Sequence, residues 1–315
     1  MVAAVLHEYR EPPRFEEFAE PTAGDGEVVV DVSAAALHHL DLLKASGDFY
    51  LDQPLPAVVG GDGVGRLEDG RRVLFEAVAP HGSMAERSAA KADTLFDVPE
   101  GLDDAAAAAL ANSGIAGWLA PAWRADLQPG ETVLVLGATG QTGSVAVQAA
   151  KLLGAGRVVA AARGSERLER LLERGADATV ALDGDGDLSE RLREAAGGGA
   201  DVTIDTLWGE PAVAAMGAAA QFGRHVQVGH LAGPELGLVA PAIRSKSLDV
   251  RGFMHLHAPL EVRREAFQRL GEHVARGDIV IDFERVPLAE VADAWERQRR
   301  ADAGAKLVLI PKGDP

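Results

Sequence analysis

The run Val133-Leu134-Val135-Leu136-Gly137-Ala138-Thr139-Gly140-Gln141-Thr142-Gly143-Ser144-Val145-Ala146-Val147-Gln148 decides the fold of this chain. An apolar strand enters a glycine-rich turn, and the turn opens a helix. That is the order a dinucleotide-binding strand–turn–helix unit needs. The spacing Ala138-x-Gly140-x-x-Gly143 is a close variant of the G-x-G-x-x-G fingerprint. Small residues at 138 and 140 let the backbone approach a pyrophosphate. Gly143 lets the helix pack tightly on the strand, and the helix N-terminus offers free N–H groups to an anion. Ala138, Thr139, Gly140, Gln141, Thr142 and Gly143 are therefore the candidate phosphate loop.

Downstream of about residue 103 the pattern alternates. An alanine-rich stretch, 103–118, reads as helical. Strands are expected at 133–137, 157–161, 179–182, 201–205, 225–229 and 248–252, and helices at 144–153, 165–174, 188–196 and 211–220. Such alternation predicts an α/β fold with a doubly wound parallel sheet. The tail adds a helix at 263–275, a short strand at 279–283, a helix at 288–300 and a last strand at 306–310. Residues 1 to about 100 have a different texture, with short β-type runs at 27–33, 57–59 and 72–75 punctuated by Gly and Pro. That predicts a compact, mostly-β, barrel-like domain. The expected division is 1–108, completed by 255–315, and 109–254, with the final strand returning to the first domain.

In dinucleotide folds an acidic residue about 20 residues beyond the glycines, ending the second strand, holds the ribose 2′-hydroxyl of NAD. Here that strand ends in Ala160-Ala161-Ala162 and is followed by Arg163, with Ser165 and Arg167 close by. A guanidinium and a hydroxyl suit a 2′-phosphate, which points to NADPH. The competing reading of Arg163 and Arg167 is as surface cations at a helix start.

The chain has 315 residues, 31 Lys and Arg against 48 Asp and Glu, a formal net charge of −17, and no cysteine. Its strong negative charge argues against nucleic acid or anionic membrane as partners. Without cysteine, disulfides, thiolate zinc sites and a cysteine nucleophile are excluded. No run of about 18 apolar residues marks a transmembrane helix, and the N-terminus does not read as a signal peptide. The expectation is a cytoplasmic protein.

Four further segments join the glycine loop in a fixed order: Ala35 to Gly47 with His38, Asp41 and Lys44; Pro56 to Gly65 with Gly60-Gly61-Asp62-Gly63; Gly82-Ser83-Met84-Ala85-Glu86; and Gly304-Ala305-Lys306-Leu307-Val308-Leu309. Together they resemble the medium-chain dehydrogenase/reductase superfamily, in its zinc-free quinone-oxidoreductase-like branch. The resemblance implies a GroES-like catalytic domain and a Rossmann domain with the substrate, a small carbonyl or quinone, between them. It also implies hydride transfer from NADPH and a homodimer. Positions that hold catalytic zinc in the zinc-dependent branch look to be His38, Gly61 and Asn112 here. Gly61 cannot ligate and Asn112 is a poor zinc ligand, so metal-free chemistry is expected.

His38 stands where the branch has Asn. It is either a hydrogen-bond donor or general acid to a substrate oxygen, or a residue that packs beside the nicotinamide. Asp41, Tyr50 and Asn112 complete the candidate reacting centre, with Asp41 as a supporting residue. At the strand ends of the sheet, Thr206, Leu207, Gly229, His230, Leu231, Phe253 and Met254 are candidate cofactor contacts. Rival readings are an alcohol or aldehyde oxidoreductase with His38 in proton transfer, and a non-catalytic NADPH-binding protein.

Overall fold

The computed structural model describes residues 1–48, 54–238, 240–300 and 303–312. Tyr50 lies outside them. The chain forms two compact units, Met1–Ser113 with Phe267–Pro315, and Gly114–Ala266. Their seams differ from the expected 108/109 and 254/255. The second falls inside the continuous helix Leu260–Arg276, between Ala266 and Phe267.

The first unit begins with β1 (Val2–Leu6), β2 (Arg14–Glu17), β3 (Glu27–Ala36), β4 (Ala57–Val58), β5 (Asp62–Arg66), β6 (Arg72–Glu76), β7 (Arg87–Lys91) and β8 (Phe96–Asp97). In the second unit β9 (Thr132–Leu136), β10 (Arg157–Ala162), β11 (Ala178–Ala181), β12 (Ala200–Asp205), β13 (Ala219–Gln227) and β14 (Asp249–Gly252) alternate with helices. The chain then returns to the first unit with β15 (Phe283–Pro287) and β16 (Lys306–Ile310).

In the second unit six strands run parallel in the order β11-β10-β9-β12-β13-β14. This is the doubly wound 3-2-1-4-5-6 arrangement, whose order reverses between β9 and β12. Helices on both faces bury both sides of the central strands, so β9 and β10 read as unbroken apolar runs rather than alternating ones. One face packs Leu134, Leu136, Val159, Ala161 and Val180 against Leu192 and Ala215.

In the first unit β16 pairs antiparallel with β3, Val308 opposite Ala36 and Leu309 opposite Ala35. Chain segments from the two ends of the sequence thus share one core, where Leu37 and Met84 pack with Trp295, Leu307 and Leu309.

Three elements depart from expectation. The strand expected at 279–283 forms instead at Phe283–Pro287. Ile279 is buried without joining a sheet, and Pro287 is tolerated because β15 is an edge strand. The helix expected to reach residue 220 stops at Gly217, and Ala219 already belongs to β13. The 103–118 helix is two helices, Asp104–Leu110 and Asn112–Leu119.

Gly143 fixes the geometry of the turn. A Cβ there would lie 2.3 Å from the Gly137 carbonyl oxygen and 2.8 Å from the Ala138 Cα. Both are backbone atoms that cannot step aside. We expect Gly143→Ala to lower stability by about 1–3 kcal/mol, the range for overpacking; an unchanged urea midpoint would contradict this packing.

Candidate functional site

In the second unit, β9 delivers the chain to Gly137, whose φ of +74° favours glycine. A Cβ at Gly137 would fall 2.1 Å from Thr206 Oγ1, and that hydroxyl donates to the Leu136 carbonyl at 2.9 Å. Gly140 differs. It is exposed, and a Cβ there would meet only the Gly137 carbonyl oxygen, at 3.3 Å. The missing side chain at 140 therefore serves open space rather than packing.

Beside it, Gln141 Nε2 is buried with no hydrogen-bond partner among the described residues. Gln141 also begins the twelve-residue helix Gln141–Leu152, whose first N–H groups lack intrahelical acceptors. Ala138 is buried, while Thr139 and Thr142 are half-buried. An open backbone cradle, an orphan amide and a helix N-terminus form a donor set that fits a pyrophosphate.

Beyond β10 the three expected 2′-phosphate residues separate. Ala162 is buried and Arg163 is exposed. Ser165 Oγ accepts from the Leu168 N–H at 3.3 Å and caps the short helix Glu166–Glu169. Arg167 Nη2 donates to the Thr139 carbonyl at 2.7 Å, bracing the phosphate loop from outside. The structure adds Asp183, which sequence reasoning passed over. Its Oδ1 accepts the Gly164 N–H at 2.7 Å. That bond, with Arg163 and Arg191 adding, holds the carboxyl below its ordinary range.

At the far strand ends Asp205 and His225 form a fully buried pair, Oδ2 to Nε2 at 2.9 Å. Asp205 Oδ1 accepts the N–H groups of Leu207 and Trp208 at 2.8 and 2.9 Å. Trp208 is thereby held at φ +58°, a strained conformation for a non-glycine residue. Thr206 is buried, Leu207 and Gly229 are half-buried, and His230 and Leu231 are exposed. A Cβ at Gly229 would lie 2.8 Å from the Thr206 carbonyl oxygen, so these two strand ends touch. Phe253 is buried, its ring 6.1 Å from that of the exposed Trp123; Met254 is exposed.

The first unit gathers a charged cluster around His38. The residue precedes the helix His39–Ala45, and its backbone N–H donates to Asp41 Oδ2 at 2.7 Å, an N-terminal cap. Asp41 Oδ1 also accepts the Gly61 N–H at 3.1 Å. Burial pushes the Asp41 carboxyl above its ordinary value, with Asp62 adding and His38 and Lys44 opposing. Both ring nitrogens of His38 are engaged: Nε2 lies 3.1 Å from Asp62 Oδ1, and Nδ1 lies 2.7 Å from Lys306 Nζ and 3.4 Å from Ser113 Oγ. An ammonium only donates, so the network assigns Nδ1 as acceptor and Nε2–H as donor to Asp62. Burial pushes Lys306 down to about 8, against the pull of Asp62 and Asp41. His39 is lowered by desolvation, then by Lys306 and His38.

Of the expected reacting centre, His38 and Asp41 come together. Asn112 opens its helix half-buried, and it is the next residue, Ser113, whose hydroxyl reaches His38. Asp62 and Lys306 were both within the sequence segments singled out. The signal for Asp62 was an acid placed in a glycine-rich segment; Lys306 had none, since it lies 268 residues from its partner.

A family model described as zinc-binding dehydrogenase matches residues 142–274. Quinone oxidoreductase-like protein 2 of Mus musculus is 30% identical over 261 residues, covering 79% of this chain and 74% of the relative. The chain belongs to the medium-chain dehydrogenase/reductase superfamily, in its quinone oxidoreductase-like branch. Within that superfamily, the quinone oxidoreductase of Thermus thermophilus, whose structures include an NADPH complex, is 32% identical, with a TM-score of 0.84 over 98% of this chain and 100% of that one. An alcohol dehydrogenase of Geobacillus stearothermophilus is 27% identical over 98% of this chain and 99% of its own length. The chain is thus an oxidoreductase of this superfamily, with the fold of a relative solved with NADPH.

Two ammonium groups crowd the first-unit cluster. The Lys306 ammonium already sits on His38 Nδ1, and a Cβ at Gly61 would meet the Lys44 ammonium at 3.3 Å. Two cations at the candidate ligand positions oppose a third. Among the described residues no group of three His, Cys, Asp or Glu is placed to hold a metal, and no helix is long and apolar enough to cross a membrane.

The low Lys306 pKa carries a stability signature. The folded state releases this proton near pH 8, whereas the unfolded chain keeps it to about 10.5. Between those values the unfolded state binds more protons, so folding stability rises with pH. Urea midpoints should therefore shift in favour of the wild type over Lys306→Met as pH rises from 8 to 10. A pH-independent difference would contradict the burial of this charge.

Proposed function

We propose that this chain is an NADPH-dependent, zinc-independent oxidoreductase that reduces quinones, enones or related α,β-unsaturated carbonyls. One observation carries the reading: the open cradle at Gly140 with the unpartnered Gln141 amide, in a sheet whose second strand ends in alanine and is followed by Arg163. When bound, NADPH supplies the hydride. The chain supplies binding, orientation and charge. The N–H groups that open the helix Gln141–Leu152 hold the pyrophosphate, and Arg163 meets the 2′-phosphate.

On the substrate side a carbonyl oxygen gains negative charge during reduction, and a fixed cation or donor stabilises it. Lys306, with its pKa near 8, is the group of the His38 cluster suited to holding a proton close to neutral pH. His38, engaged through both ring nitrogens, orients Lys306 and links it to Asp62. Asp41 fixes the backbone of His38 and Gly61.

A second reading, reversible alcohol or aldehyde oxidoreduction, is favoured by the near full-length similarity to an alcohol dehydrogenase and by the same proton-holding cluster. The test is NADPH oxidation against a quinone, an enone, an aldehyde and a ketone, each repeated with NADH, followed by NADP⁺ reduction with alcohols. Turnover of quinone or enone, and none of alcohols, supports the first reading; alcohol oxidation supports the second. Arg163→Ala should weaken NADPH binding by about 1.5–3 kcal/mol for lost charge-assisted bonds and leave NADH nearly unchanged. Equal losses for both cofactors would remove Arg163 from the 2′-phosphate.

A further inference from the structure

Strands β10 and β11 run parallel and adjacent, with Ala162 opposite Ala181. Their carboxyl ends therefore open at one corner of the sheet. The sequence after β10, Arg163-Gly164-Ser165, holds no acid, but the sequence after β11, Leu182-Asp183, does. The fold brings that carboxylate to the Arg163 loop, where Asp183 Oδ1 accepts the Gly164 N–H at 2.7 Å. A Cβ on Gly164 would lie 3.3 Å from the same oxygen, so the carboxylate sits flush against the loop backbone.

The corner is fixed on several sides. The Leu182 N–H donates to the Ala162 carbonyl at 2.8 Å and the Gly184 N–H to the Ala181 carbonyl at 3.3 Å. Arg191 spans the Asp183 turn, with Nη1 on the Ala181 carbonyl at 2.6 Å and Nη2 on the Gly184 carbonyl at 2.9 Å. Arg191 is thus committed to the backbone, and Arg163 is the exposed cation of the loop.

We infer that Asp183 is a specificity-determining residue that restrains the preference for a 2′-phosphate and so narrows the margin between NADPH and NADH. A 2′-phosphate brought to Arg163 enters the field of the Asp183 carboxylate and must share the guanidinium with it. A 2′-hydroxyl carries no charge and meets no such opposition. An acid that dinucleotide folds commonly place at the end of the second strand is here supplied one strand further out. The inference rests on the reading of Arg163 as the 2′-phosphate cation.

Asp183→Asn tests it, because the amide oxygen still accepts the Gly164 N–H while the charge is gone. Dissociation constants of the full chain are measured by calorimetry for NADPH, NADH, 2′,5′-ADP and ADP, with Arg163→Ala in parallel. Expected is a gain of about fivefold for NADPH and 2′,5′-ADP, the scale of one exposed charge at a few ångström in water, and no change for NADH and ADP. The gain should shrink at high salt. An unchanged NADPH-to-NADH ratio in Asp183→Asn, with Arg163→Ala still weakening NADPH selectively, overturns the inference alone. Equal gains for all four ligands overturn it as well. An Arg163→Ala variant that binds NADPH normally overturns the reading beneath it.

Discussion

The second unit depends on the approach of Gly143 to the Gly137 carbonyl, a contact closer than any side chain permits. It seats the helix Gln141–Leu152 directly on the end of β9 and aims the helix N-terminus at the reversal point of the sheet. Gly137 turns left-handed to allow this, and the space its side chain would fill is occupied by Thr206 from β12's end. Thr206 in turn supports Gly229 beyond β13. One backbone contact thus organises three strand ends, while Gly140 is left facing open space.

The first unit is organised by charge instead. Its centre is an aspartate, a histidine and a lysine drawn from β5, the loop after β3, and β16. A buried cation this close to an imidazole is tolerated because Asp62 and Asp41 are nearby, and burial takes up the remaining imbalance by lowering the lysine's affinity for its proton. The ammonium of Lys306 stands on His38 Nδ1, and that of Lys44 stands beside Gly61.

The sheet was legible in the sequence because parallel central strands are apolar on both faces, and the glycine turn because each small residue answers a steric demand of the backbone. Helix and strand ends slipped by a few residues where one element runs straight into the next, as at Gly217–Ala219. The strand Phe283–Pro287 was hidden because Ile279 to Phe283 is the more β-like string, while edge pairing with β16 selected the later one. Site residues contributed by neighbouring segments could be read, as with His38 and Asp41. Partners brought together by topology could not. Lys306 and Asp183 each reach their partners through strand pairing, and Ser113 displaced Asn112 because a helix start set which side chain faces the imidazole.

The proposal is that this chain reduces its substrate with a nicotinamide cofactor and its own charged groups, without a metal. It is tested most directly by the turnover of a quinone or enone with NADPH after exhaustive chelation, with metal content measured on the same sample. Full activity is expected at a metal-to-protein ratio near zero. Activity lost on chelation and restored by zinc would contradict it.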